Sequence, residues 1–172
     1  MSVPRLLQFT AITVAVVAAA SIVTAVVTGQ RAAESGGPLA SDVVAGVEVR
    51  REVGQTSTWG VYLRRPAAGA EAILESATVA QMQGDVTVVA IVASRPSIQA
   101  VGTAAGFPPD GVPTIAVQGA SAGAGDADRL QLLVGVRLDG KGGRIDGIRI
   151  RYTSEGRLYE TVLPVWLSVA AN

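Results

Sequence analysis

The sequence predicts an all-β fold, an antiparallel immunoglobulin-like sandwich of about seven or eight strands preceded by one N-terminal transmembrane helix. Three observations lead there. Residues 6–27 contain no charged side chain. As a helix, such a run rises about 1.5 Å per residue and reaches about 33 Å, enough to cross a hydrocarbon core of about 30 Å. After residue 30 no stretch has a helical period; instead, short apolar or alternating runs recur between breaks rich in Gly, Ser and Pro. The implied organisation is an anchor at 1–29, a flexible linker at 30–42 and an extracytoplasmic β domain at 43–172.

The apolar run reads as a retained anchor, with a cleaved secretory signal peptide as the alternative. Signal-peptide apolar regions are usually about 7–15 residues, shorter than this one. Arg5 before the run and Arg31 after it, offset by Glu34, leave the positive-inside rule nearly balanced. The short N-terminal tail places the remainder outside the cytoplasm. A lipoprotein anchor is excluded because the chain has no Cys to carry the lipid. Ala11, Ala15 and Ala19 are spaced by four, as are Ser21, Ala25 and Gly29. Small residues at that spacing let helices approach closely, so these rows predict helix packing in a membrane. The plainer reading is that Ala is abundant throughout the chain.

The linker carries Gly, Ala and Ser. Residues 43–53 alternate Val47 and Val49 with Glu48 and Arg50, and residues 59–65 set Trp59, Val61 and Leu63 on one side. Residues 73–82 and 86–92 are apolar runs separated by Gly84-Asp85, which predicts a hairpin whose second strand is buried on both faces. Residues 94–111 hold three prolines and three glycines, which predicts a long irregular loop of the kind that is often functional. Residues 112–117 are a short strand candidate and 119–128 a second loop. Residues 130–138 read as a strand, Asp139-Gly140-Lys141-Gly142-Gly143 as a turn, and 144–153 as a strand with Ile148, Ile150 and Tyr152 on one face. Ser154-Glu155-Gly156 turns the chain into a last strand at 157–169, where Pro164 marks an edge or bulge. The Cys-Trp-Cys signature of antibody domains is absent, so only the architecture is implied.

The stretch GIRIRYTSEGRLYETVLP at 147–164 resembles the closing hairpin of small membrane-anchored or secreted actinobacterial proteins of unknown function. The resemblance implies an anchored β-sandwich and transfers no catalytic residue. The composition fits a high-GC genome: of 14 basic residues only Lys141 is lysine.

With no His and no Cys, a Ser-His-Asp or Cys-His nucleophile pair is excluded. So are the usual zinc, blue-copper, haem and iron–sulfur ligand sets. No Gly-rich phosphate motif precedes a helix. The 14 basic and 14 acidic side chains balance, which argues against a nucleic-acid partner. No cofactor and no metal are expected. Asp126 and Asp128 are weak Ca²⁺ candidates against the plainer reading of a solvated loop. Glu71 with Glu75, or Asp146 with Glu160, are candidate carboxylate pairs for hydrolysis. A Ser-Lys pair would have to use Lys141, placed in a Gly-rich turn that cannot bury it. Arg144, Arg149, Arg151 and Arg157 share one hairpin and form a candidate docking face for carboxylates or phosphates. Its plainer reading is a solvated face paired with Glu155 and Glu160. Trp59 and Trp166 read as core or interface aromatics.

The expected function is therefore a non-enzymatic, single-pass accessory protein of the cell membrane. Its helix and β domain would dock onto other membrane proteins, with the C-terminal domain outside the cytoplasm. The alternative is a free-standing envelope module that binds a soluble ligand, glycan or lipid, with the 94–111 loop in its site. A hydrolase using two carboxylates is a third reading.

Overall fold

A computed structural model describes residues 33–39, 46–63, 71–95, 101–123 and 130–172. Eight strands follow in order: β1 (Glu34–Ser35), β2 (Gly46–Arg51), β3 (Thr56–Leu63), β4 (Ala72–Ser94), β5 (Thr103–Ala105), β6 (Ser121–Ala122), β7 (Leu130–Ser154) and β8 (Arg157–Ala171). The all-β class and the strand number agree with the sequence. The hydrogen bonding joins all eight into one sheet, ordered β1-β8-β7-β3-β5, with β2 also on β8, β4 on β7 and β6 on β4.

The helical part of the expected fold finds no counterpart among the described residues, and the expected anchor at 1–29 lies outside them. The described chain is strand and loop throughout, and no helix in it is long and apolar enough to cross a membrane. Its apolar residues recur with period two and it is rich in the β-branched Val, Ile and Thr, which suits pleated strands. The single-pass membrane placement, the docking onto membrane-protein partners and the accessory function built on them have no helix among the described residues to carry them. The predicted packing positions Ala11, Ala15, Ala19, Ser21, Ala25 and Gly29 lie outside the described residues.

Two long strands replace four shorter ones. β4 does not turn back at Gly84-Asp85, and β7 does not turn back at residues 139–143. Instead residues 72–84 of β4 pair with 143–154 of β7, and residues 86–94 pair with 131–138. A hairpin turn and a bulge both call for glycine at positive φ, so the local sequence does not separate them. Here Gly84 (φ +78°) lies against Gly143, and a Cβ on Gly84 would meet the Gly142 carbonyl oxygen at 2.5 Å. The two strands cross too closely at this bend for side chains.

Both halves of each long strand contribute to one core. Leu74, Val86 and Ala93 of β4 join Leu130, Leu132, Val134, Val136 and Leu138 from the first half of β7, and Ile145, Ile148, Ile150 and Tyr152 from the second. The sheet is thus curved around a single apolar interior, which gives the sandwich-like form. Each fully buried aliphatic side chain contributes about 1.5–3 kcal/mol. The core-cluster positions on β7 are even from Leu130 to Leu138, odd at Ile145, and even again from Ile148 beyond Gly147. There the register shifts, with Asp146 opposite Trp166 and Ile148 opposite Leu163, so Gly147 faces both Pro164 and Val165. The bulge expected at Pro164 is present, and its missing N–H costs no ladder bond at that site. β7 and β8 join through Glu155 (φ +50°) and Gly156 (φ +74°), a two-residue loop with both φ positive whose twist matches the flanking strands.

The N-terminal described segment belongs to the same unit, Arg31–Asn172. β1 and β2 both run parallel to β8 on its outer edge. Leu39, within the stretch expected to be a linker, is 1% exposed. The Tyr152 hydroxyl donates to the Gly36 carbonyl (3.0 Å) and accepts from the Leu39 N–H (3.0 Å).

Candidate functional site

The described part of the 94–111 loop is packed down. Its β5 pairs with β3, placing Thr103 opposite Trp59. The fully buried Gln131 side chain accepts from Val101 N–H (3.1 Å) and donates to Val101 C=O (2.5 Å), and Thr58 Oγ1 donates to the Gly106 carbonyl (2.6 Å). The Phe107 ring lies where a Cβ on Gly135 would stand, 2.5 Å from its Cγ. The loop therefore covers the outer side of β3 and β7. Sequence reasoning missed Gln131, because a lone Gln in an apolar run does not reveal a backbone partner 30 positions away.

The arginines project from the exposed side of β7 and from the start of β8, and acids accompany them. Arg144 donates from Nε to both carboxylate oxygens of Asp146 (2.8 and 2.9 Å), and its guanidinium lies 4.6 Å from the Trp166 ring centre. That hydrogen bond, first among the causes, holds the Asp146 carboxyl below its ordinary value and the Arg144 guanidinium above its own. Arg149 lies 3.5 Å from Glu160, which stands opposite Arg151 in the ladder. Arg157 is exposed beside the turn. The face is therefore a mixed-charge lattice in which Asp146 and Glu160 are committed to arginine, not to each other.

The other candidates are dispersed. Glu75 accepts from the Thr153 hydroxyl (3.0 Å), and Glu71 accepts from Ser121. Lys141 is exposed, and its backbone N–H donates to Asp85 (3.0 Å). Asp126 and Asp128 lie outside the described residues, and among the described residues no three His, Cys, Asp or Glu side chains group to hold a metal. Trp59 is buried in the core, 3% exposed, and Trp166 is half-buried over Gly46.

The site the fold does build lies along β4. Residues 86–92, expected to be buried on both faces, are not: Val89 is 50% exposed, and Val88 and Ile91 are only partly covered. The cause is the open edge. Among the described residues, β4 has partners beyond β7 only near its ends, where residues 72–74 meet residues 119–122 and Ala93 bridges Ile115. Between those ends the bent strand borders a shallow, open groove of about 380 Å³ lined by Ala77, Val79, Ala80, Met82, Val88 and Ile91, with Thr78 and Gln81 as its polar residues. Ala77, Val79, Val88 and Ile91 also pack on the core. The groove is thus a mouth through which the apolar interior reaches solvent. No protein-family model matches the chain, and no curated protein matches its sequence.

Proposed function

We propose that this domain is a non-catalytic binding module whose ligand seats in the apolar mouth along β4. One observation carries the reading. Val79, Val88 and Ile91, which pack against the core, stand partly exposed along a shallow, open apolar groove of about 380 Å³, a volume within the range of small-ligand sites. Leaving such surface in water forgoes burial free energy that an occupant would recover. The scattered, individually engaged carboxylates support the non-enzymatic part, because two-carboxylate hydrolysis, the acid–base chemistry the sequence offered, needs both groups aimed at one point.

The test uses the full chain and an apolar fluorescent dye such as ANS. Met82 lines the groove yet is 49% exposed, so Met82→Asp places a charge there without disturbing the interior. Val89, equally exposed on the same strand but outside the groove, supplies the control Val89→Asp. Met82→Asp is expected to weaken dye binding about tenfold, from the lost burial of one side chain, while Val89→Asp leaves it unchanged. Equal binding by the two variants overturns the proposal.

A further inference from the structure

We infer that the occupant of the β4 groove is an extended segment of a partner protein, added to the sheet as a further strand, uncharged along its centre and basic at both ends. This rests on the binding role proposed for the groove and names what fills it.

The backbone gives the first argument. The β4 ladder with β7 is irregular at Leu74/Ser76, Gly84/Val86 and Val88/Ala90. Residues 76–84 between the first two irregularities keep one register on β7, paired at every position but Ala80, over about 30 Å at 3.3 Å per residue. Its other edge has no strand partner among the described residues. An occupant here meets an apolar wall and, beside it, a row of N–H and C=O groups that have no strand partner among the described residues. A lipid chain satisfies the wall and strands the polar row, at a cost in desolvation. An added strand satisfies both, with main-chain bonds to the edge and alternate side chains in the groove.

Charge gives the second. Residues 76–92 contain no Lys, Arg or Pro, the residues that commonly guard an edge strand against pairing. The residues skipped by the two irregularities are Glu75 and Asp85, both exposed. An acid therefore brackets each end of the regular stretch, and complementary cations belong on the occupant. A second copy of this chain fits poorly. Antiparallel self-pairing centred on Ala80 sets Glu75 directly opposite Asp85, and like charges so placed repel. It also sets one concave groove against another.

The probe is a labelled eleven-residue peptide, Arg-Thr-Val-Thr-Val-Thr-Val-Thr-Val-Thr-Arg, titrated into the full chain by fluorescence anisotropy. It is compared with a version flanked by Glu and a version with a central proline. The Arg-flanked peptide is expected to bind about tenfold more tightly than the Glu-flanked one, with the gap closing as salt rises. Central proline should abolish binding, Glu75→Lys should weaken it several-fold, and bound peptide should slow amide exchange at residues 76–84. Indifference to flanking charge or to proline overturns the inference. So does concentration-dependent dimerisation that protects the same residues, which would make a second copy the occupant. If no peptide binds while dye binding still responds to Met82→Asp, the strand inference fails and the groove reading stands. If neither responds, both fail.

Discussion

Replacing Tyr152 with phenylalanine removes one oxygen that ties residues 33–39 to the sheet. That hydroxyl accepts from Leu39 N–H and donates to Gly36 C=O, each at 3.0 Å. Phenylalanine keeps the ring and its stacking on Tyr159, 5.5 Å between centroids, so no cavity opens. Leu39 is 1% exposed, and its N–H finds no water in compensation. A lost hydrogen bond is worth about 0.5–1.5 kcal/mol, and a stranded buried donor costs about 1–3 kcal/mol. Tyr152→Phe should therefore cost about 2–3 kcal/mol in urea denaturation, with faster amide exchange at Leu39. The pH dependence supplies an independent reading. Burial raises the Tyr152 phenol above its ordinary 10.0, against the opposing effect of the Leu39 hydrogen bond. Above that ordinary value the unfolded chain binds fewer protons than the folded one. This contribution to stability is complete below pH 10 and declines as pH climbs through the raised folded value. Phenylalanine should remove that alkaline decline. An unchanged urea midpoint, an unchanged Leu39 exchange rate or an intact alkaline decline would refute the reasoning.

Three further outcomes follow from the same geometry. Gln131→Leu leaves the Val101 N–H and C=O without their partner and should cost about 1–3 kcal/mol, with exchange rising first at residues 101–107. Glu155→Asn creates the Asn-Gly pair preferred where both turn residues have positive φ; it should raise stability by about 0.5–1 kcal/mol, measured as a higher thermal midpoint. The Asp139 carboxyl is held below its ordinary 3.8, first by the Thr87 hydroxyl and then by Arg137. The stability it confers is present above pH 3.8 and lost as pH falls through the lowered folded value. Thr87→Val should make acid unfolding less steep in pH.

Much of the strand pattern was legible because burial follows the two-residue period of the backbone. Trp59, Val61 and Leu63 face the core as their alternation indicates, and the reversal at Glu155-Gly156 and the irregularity at Pro164 carry local chemistry that names them. The groove was not legible. Ala77, Val79, Val88 and Ile91 look like ordinary interior residues in sequence, and their partial exposure arises from what does not pair beside them. The arginine face was visible as a set of residues, but its meaning depended on Asp146 and Glu160 lying within reach of Arg144 and Arg149.

By itself the sequence determined the strand-rich class, the alternating core positions and the exclusion of His- and Cys-based chemistry, since these depend on side-chain identity and local periodicity. Only the tertiary structure decided that Gly84 and residues 139–143 are bends inside long strands and not turns. It alone decided that Gln131 holds a loop and that, among the described residues, β4 leaves an edge and a groove open. Those outcomes depend on which distant strand supplies the next hydrogen bond, and a glycine that permits a reversal permits a bulge equally well.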